Sequence, residues 1–308
     1  MKQNQALIKN FYKAIENKGY KARFINAKRI PDLRHDIQQQ QDHMHPEFYE
    51  EYKSFFEFNS KVDFGEINSL IVIAVPVPQY EVTFQYKNKP ISLIIPPTYL
   101  YGQKIVDESE ELLKNIFEPK GFNVTYARVP VKTLAVRSGL SEYGRNNITY
   151  VSGMGSFHRL APFYSDVPIE EDIWLERKMM DICENCNACV NNCPTGAIPT
   201  DRFLLRVDKC LTYHNEQPGN ISFPEWINPS WHNCLVGCLH CQKICSVNKK
   251  VKDWTEKGPF FNEKETRILL QEKNLHDLPE ELKEKLNKYD LANYFEILPR
   301  NLRVFLND

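Results

Sequence analysis

Apolar side chains recur at helical spacing from Gln5 to Lys18, where Ala6, Leu7, Phe11, Ala14 and Ile15 share one face and Gly19 closes the run. Lys21 to Ile25 then reads as a short strand. Arg34 to Phe58 is polar, carries a run of four glutamines, and reads as a helix pair or extended arm. Ser69-Leu-Ile-Val-Ile-Ala-Val-Pro-Val77 is the strongest buried strand, short, β-branched and ended by Pro76 and Pro78. Val82–Tyr86 and Ile91–Ile95 follow as a strand pair joined through Lys87-Asn88-Lys89. Lys104 to Glu118 is amphipathic and stops at Pro119 and Gly121; Phe122 to Ala127 is a strand, and Thr133 to Leu140 is a helix ending near Gly139.

Strands and helices thus alternate through the first half, as in an α/β or α+β layered domain. A loop-rich cysteine region follows, then a charged helical tail from Asn262 in which Pro279 and Pro299 are expected to act as breaks. The expected organisation is an α+β chain: a layered domain over 1–168, a metal-binding module over 169–255 and a tail over 256–308.

Composition narrows this picture only in part. Of 308 residues, 42% are hydrophobic and 26% charged, which is ordinary for a globular protein, and the formal charge of −1 gives no global basic field. The polar start of the chain lacks an apolar signal core, and no apolar stretch is long enough for a bilayer. A cytoplasmic protein with no membrane partner is expected.

Cysteine placement is more informative. All nine cysteines lie between Cys183 and Cys245. A disulfide-stapled protein spreads its cysteines over the fold it braces, so this clustering points to metal. The first run, Cys183-x2-Cys186-x2-Cys189-x3-Cys193-Pro194, has the spacing of bacterial ferredoxins, in which three cysteines wrap one [4Fe–4S] cubane and the fourth binds the other. Zinc sites present two separated pairs instead. The second run is Cys238-x2-Cys241-x3-Cys245. Crossed ligation assigns Cys183, Cys186, Cys189 and Cys245 to one cluster. Cys193, Cys238 and Cys241 go to the other, with Cys210 or Cys234 completing it.

These runs, with Val207-Asp-Lys-Cys210-Leu-Thr-Tyr213 and Gly237-Cys-Leu-His-Cys241-Gln242, resemble the epoxyqueuosine reductase family. The resemblance implies Cys210 as the fourth ligand of the second cluster. It extends upstream: Arg137-Ser-Gly-Leu140-Ser-Glu-Tyr-Gly144-Arg-Asn146 is similar to a segment that lines a cobalamin pocket in that family and in the related reductive dehalogenases, and Gly153-Met-Gly-Ser156-Phe157 is similar to the piece that follows it. The layered domain is then expected to resemble a nitroreductase-like corrinoid-binding domain, with Ser138, Gly139, Leu140, Gly144, Asn146, Ser156 and Tyr213 around the corrinoid. The family's Asp, thought to donate a proton, has no acidic counterpart in Ala127-Arg-Val-Pro-Val-Lys132, which leaves Glu142, Tyr143 or Arg145 to serve.

The resulting expectation is an oxidoreductase that passes electrons from a ferredoxin- or flavodoxin-type donor through two clusters to a cobalamin-dependent site acting on a small organic substrate. A ferredoxin-like carrier, or a reductive activator of a partner corrinoid protein, is the alternative. Epoxyqueuosine reduction in tRNA ranks third, and tRNA is not expected as a partner, because the family's C-terminal helical-repeat domain has no counterpart. Among other residues, His158 follows the Gly-Ser-Phe piece and is a candidate to reach a cofactor or substrate. Cys234 reads as a buried small residue, and the Tyr99/Tyr101 loop as packing.

Overall fold

The stretch read as the strongest buried strand lies at the heart of the first sheet. The computed structural model describes residues 2–58, 61–170, 172–271 and 274–306. Among them the strands are, in chain order, β1 (Lys21–Asn26), β2 (Ser69–Pro76), β3 (Gln79–Tyr86), β4 (Lys89–Ile95) and β5 (Val124–Tyr126). Then follow β6 (Glu142–Tyr143), β7 (Thr149–Tyr150), β8 (His158–Ser165) and β9 (Thr255–Phe261). Contacts divide the chain into two units. The first is Met1–Pro76, Gln103–Gly144 and Ile148–Glu184; the second is Val77–Gly102, Arg145–Asn147 and Asn185–Asp308. The units interleave along the chain and do not follow one another as three consecutive segments.

The first unit holds an antiparallel sheet in the order β1-β2-β8-β5. Strand side chains alternate between faces, so Ile71, Ile73 and Val75 of β2 meet Leu7, Phe11 and Ile15 of the helix Lys2–Asn17, with Leu113 and Phe117 of the helix Gly102–Phe117. On the opposite face Leu70, Val72 and Ala74 meet Leu33, Leu134 and Leu140. Both faces are covered, which is why β2 reads as a continuous apolar run. Antiparallel pairing throughout makes the architecture α+β. Strand β8 escapes the sequence reading because Arg159 and Pro162 interrupt it. Pro162 sits opposite Val72, and its carbonyl still accepts from the Ala127 N–H at 3.0 Å. The polar stretch before β2 forms two helices, Ile30–Gln38 and Pro46–Ser54.

A buried ion cluster ties an irregular segment to this unit. Asp36 is fully buried and accepts from Arg137 Nη2 and Nε at 2.7 and 3.0 Å, while Arg177 Nε lies 3.1 Å away. Arg137 and Arg29 both lie over the Trp174 ring, and Arg29 also pairs with Asp172 at 3.2 Å. Asp172–Met180 is therefore strapped down just before Cys183.

In the second unit, β3 lies between β4 and β9, antiparallel to the first and parallel to the second. Lys87 and Asn88 adopt positive φ of 48° and 60°, the backbone of a two-residue hairpin turn. The helices Glu263–Leu269, Glu280–Lys288 and Leu298–Arg303 are charged outside, but Leu269, Leu282, Leu286 and Leu302 share one core with Val82, Phe84 and Ile95. The tail is thus an integral layer. Pro279 caps a helix, whereas Pro299, expected as a break, sits in the first turn of Leu298–Arg303, where a missing N–H costs nothing.

Candidate iron–sulfur centre

Short helices present the cysteines. Ala188–Asn191 carries Cys189, His240–Lys243 carries Cys241, and Cys210 caps Leu211–Asn215. Cys183 closes a turn at the end of the first unit, hydrogen-bonded through its N–H to Met180 O at 2.8 Å.

Within the second unit, four thiols share one buried neighbourhood. Burial pushes the Cys210, Cys238 and Cys241 thiols up. Neighbouring thiols add to this: Cys193 acts on Cys210; Cys234, Cys210 and Cys193 act on Cys238; and Cys238, Cys210 and Cys189 act on Cys241. Cys210, Cys238 and Cys241 also receive donors that favour the thiolate: the Thr212 and Tyr213 N–H groups at Cys210, the His240 N–H at Cys238, and the Asn146 amide at Cys241. Desolvated sulfurs with N–H donors aimed at them are costly as bare thiolates and become favourable once a cation neutralises them. Among the described residues no three His, Cys, Asp or Glu groups converge as for a single ion. A cubane differs in that its ligands bind four separate iron corners. The residues fit a cluster.

Cys234 is 1% exposed and burial pushes its thiol up to about 12. It neighbours Cys238, as well as Tyr99, whose hydroxyl donates to Glu216. Gly237, at φ +69°, lets the loop pass against that ring: a Cβ there would lie 2.6 Å from Tyr99 Oη. The Tyr99 loop therefore packs directly on the second cysteine run.

Asparagine amides hold this run in place. Asn215 Nδ2 donates to Gly237 O at 2.6 Å, Asn192 Nδ2 to His240 O at 2.8 Å and Asn248 Nδ2 to Gln242 O at 2.8 Å. Asn301, on the C-terminal helix, donates to Leu235 O at 2.9 Å and to Asn215 O at 3.0 Å. Beside it, the Arg300 guanidinium donates to His214, Asn215, Pro218 and Ile221 carbonyls at 2.9–3.1 Å. These clamps were missed in the sequence reading. The scattered asparagines of 146–301 carry no spacing signal that would have revealed them.

The residues expected around a corrinoid divide between contacts within the first unit and contacts to the cysteine loops. Ser138 is fully buried with its hydroxyl donating to Ala135 O at 3.0 Å, Leu140 lies in the core, and Ser156 is 4% exposed. A Cβ on Gly139 would meet Leu175 at 3.3 Å, and the Gly144 N–H donates to Ile148 O at 2.8 Å. Asn146 serves Cys241, and Tyr213 serves Cys210 through its N–H. Ser138 and Leu140 are engaged within their own unit. Of the proposed proton donors, Glu142 is exposed, whereas the Tyr143 hydroxyl is buried 3.2 Å from Thr133 Oγ1, with burial raising its pKa. Arg145 Nε donates to Cys186 O at 3.3 Å. His158 is buried, bonded to Gly155 O at 3.0 Å and Thr149 Oγ1 at 3.2 Å, and burial lowers its pKa to about 4.

The family model for a 4Fe-4S double cluster binding domain matches residues 182–248. An epoxyqueuosine reductase of Cyclobacterium marinum is 31% identical over 169 residues, covering 52% of this chain and 53% of that one. That of Escherichia coli is 32% identical over 134 residues, covering 43% and 34%. The chain is a relative of the epoxyqueuosine reductases. It carries a double [4Fe–4S] binding module over residues 182–248. It spans about half or less of the length of these two relatives. The solved epoxyqueuosine reductase of Bacillus subtilis shares the fold over 97% of this chain and 82% of its own, at TM-score 0.66 and 20% identity. A further solved structure, of an epoxyqueuosine reductase with an epoxyqueuosine-modified tRNA-Tyr stem loop, matches 97% of this chain and 81% of its own at TM-score 0.64 and 18% identity. The expectation that tRNA is not a partner is corrected by these relatives. No helix among the described residues is long and apolar enough to cross a membrane.

Proposed function

We propose that this chain reduces epoxyqueuosine in tRNA with electrons delivered through two [4Fe–4S] clusters. The observation that carries the reading is the double-cluster match over residues 182–248, in a chain whose sequence relatives are epoxyqueuosine reductases; Cys193, Cys210, Cys238 and Cys241 lie near one another within it. These four thiols would hold one cluster, and Cys183, Cys186, Cys189 and Cys245 the other. When bound, the clusters supply electrons one at a time. Reductive loss of an epoxide oxygen as water consumes two electrons and two protons. The chain's own part is to keep the thiolates dry and fixed, through the Asn146 amide and the Thr212, Tyr213 and His240 N–H groups, and to supply protons. Of the three candidate donors, Glu142 alone combines an acidic side chain with exposure.

The test is anaerobic reconstitution to about eight irons per chain, followed by incubation with epoxyqueuosine-containing tRNA and a low-potential reductant, with and without added cobalamin. Nucleoside mass spectrometry should show epoxyqueuosine converted to the deoxygenated nucleoside, with Glu142→Gln slowing turnover while leaving cluster spectra unchanged. Fully reduced clusters with untouched epoxyqueuosine under both conditions would refute the reading and leave an electron carrier.

A further inference from the structure

A cleft of about 490 Å³ opens in the first unit between the helices Ile30–Gln38 and Pro46–Ser54 and the segment after them. Its walls include Arg34, Ile37, Tyr49, Lys53, Phe56 and Phe58. Cations and rings are interleaved there: Arg34 lies 5.5 Å over Phe58, and Lys53 5.7 Å over Tyr49. The one carboxylate of the cleft, Glu50, is paired with Lys53 at 3.2 Å.

The aromatic wall is held from behind. Glu57, between Phe56 and Phe58, donates its N–H to Arg128 O at 2.7 Å and accepts from the buried Tyr164 hydroxyl at 3.1 Å; its carboxylate pairs with Arg128. Phe56 and Phe58 stand 6.3 Å apart and tilted, Phe56 edge-on to Tyr52 at 5.0 Å and Phe58 beneath Arg34. Ile37 supplies an apolar floor, buried to 1% exposure, and the Gln38 amide offers both a donor and an acceptor.

We propose that this cleft receives an unpaired base of an RNA, stacked on Phe58 or Phe56, with the adjoining phosphate against Arg34 and Lys53. Aromatic faces set beside cations are the chemistry of single-strand recognition, where stacking tolerates any base and the cations follow the backbone. A purely apolar ligand has no use for Arg34 and Lys53, and a bare anion none for the rings. The choice of RNA over a free nucleotide rests on the tRNA reading above; the cleft itself does not.

The experiment uses the full, cluster-loaded chain and needs no turnover. Binding of fluorescein-labelled hexauridylate and hexaadenylate is followed by anisotropy at two salt concentrations, beside the four nucleoside monophosphates by calorimetry. Phe58→Ala and the packing-conservative Phe58→Leu should each weaken the hexamers by roughly tenfold, because both lose the stacking face. Arg34→Gln, at an exposed position, should weaken them several-fold and flatten the salt dependence. Hexamer affinities unchanged in all three variants, or no hexamer binding to the parent chain, would overturn the proposal. Monophosphate binding that responds to Phe58 while hexamer binding does not would overturn it in favour of a free-nucleotide site. RNA bound through the cleft with epoxyqueuosine left untouched keeps this inference and removes the reductase reading. Reduction that proceeds with a cleft indifferent to RNA does the reverse.

Discussion

Replacing Asp36 by Asn tests whether the strap before Cys183 is held electrostatically. The side chain of Asp36 is wholly buried, and its two guanidinium partners are only 13% and 26% exposed. Asn keeps the volume but leaves Arg177 without its buried counter-charge and Arg137 with only the exposed Glu176 carboxylate at 3.2 Å. Breaking a buried pair in this way costs about 3–5 kcal/mol, since the remaining charge stays desolvated. With a urea dependence of about 2 kcal/mol per molar, the unfolding midpoint of the first unit should fall by about 1.5–2.5 M. The assay is anaerobic urea unfolding of the cluster-loaded chain, followed by tryptophan fluorescence, because Trp174 lies under Arg29 and Arg137 and reports the strap directly. Glu50→Gln is the control: its pair with Lys53 has side chains 66% and 52% exposed, and such a pair contributes about 0.5 kcal/mol or less. A loss below about 1 kcal/mol in Asp36→Asn, or one no larger than the control, would refute the reasoning.

Three further outcomes follow from the geometry. His158 stays neutral when folded, with a pKa lowered to about 4, against an unfolded value of about 6.5. Between those values the unfolded chain binds the extra proton, so stability falls as pH falls from about 6.5 to about 4 and levels off below; relative to His158→Gln, the parent chain should lose about 2 kcal/mol between pH 7.5 and 5, measured by paired urea titrations. Asn301→Leu removes two amide bonds to the carbonyls of Leu235 and Asn215. It should lower iron from about eight toward about four per chain and remove one of two cluster signals in electron paramagnetic resonance. Cys241→Ala should do the same while leaving the circular dichroism of the first unit intact, whereas loss of that signal too would show that its fold depends on metal.

The elements legible in the sequence are those whose order is local. The apolar run of β2 and the amphipathic pattern of Lys2–Asn17 and Gly102–Phe117 announce themselves, as do the positive-φ residues Lys87 and Asn88 between β3 and β4. The cysteine runs are legible because cubane geometry demands their spacing. What stayed hidden is held together across long stretches of chain. Strand β9 is polar along Thr255-Glu-Lys-Gly and becomes a strand only by pairing with β3, where Gly258 allows a close pass: a Cβ there would lie 3.0 Å from the Glu81 carbonyl oxygen. Strand β8 carries a proline that argues against a central strand by itself. The Arg145–Asn147 segment, similar in sequence to a cofactor-lining piece, instead donates to the Cys186, Cys241 and Phe203 carbonyls at 3.3, 3.5 and 2.8 Å.

The parallel pairing of β3 with β9 also imposes a schedule on biosynthesis. Gln79 and Thr255, which open the two strands, are 176 residues apart. At about 5–20 residues per second a ribosome needs roughly ten to thirty seconds to travel that distance. Throughout that interval one edge of β3 has no partner, and the apolar side chains Val82, Phe84 and Ile95 wait for the C-terminal helices that cover them. The four thiols of the buried neighbourhood have all been made before β9 begins, yet Asn301, which clamps their loop, arrives last. Stable metal loading should therefore belong to the finished chain and not to the nascent one, and any chaperone that attends this protein should recognise the exposed hairpin of β3 and β4.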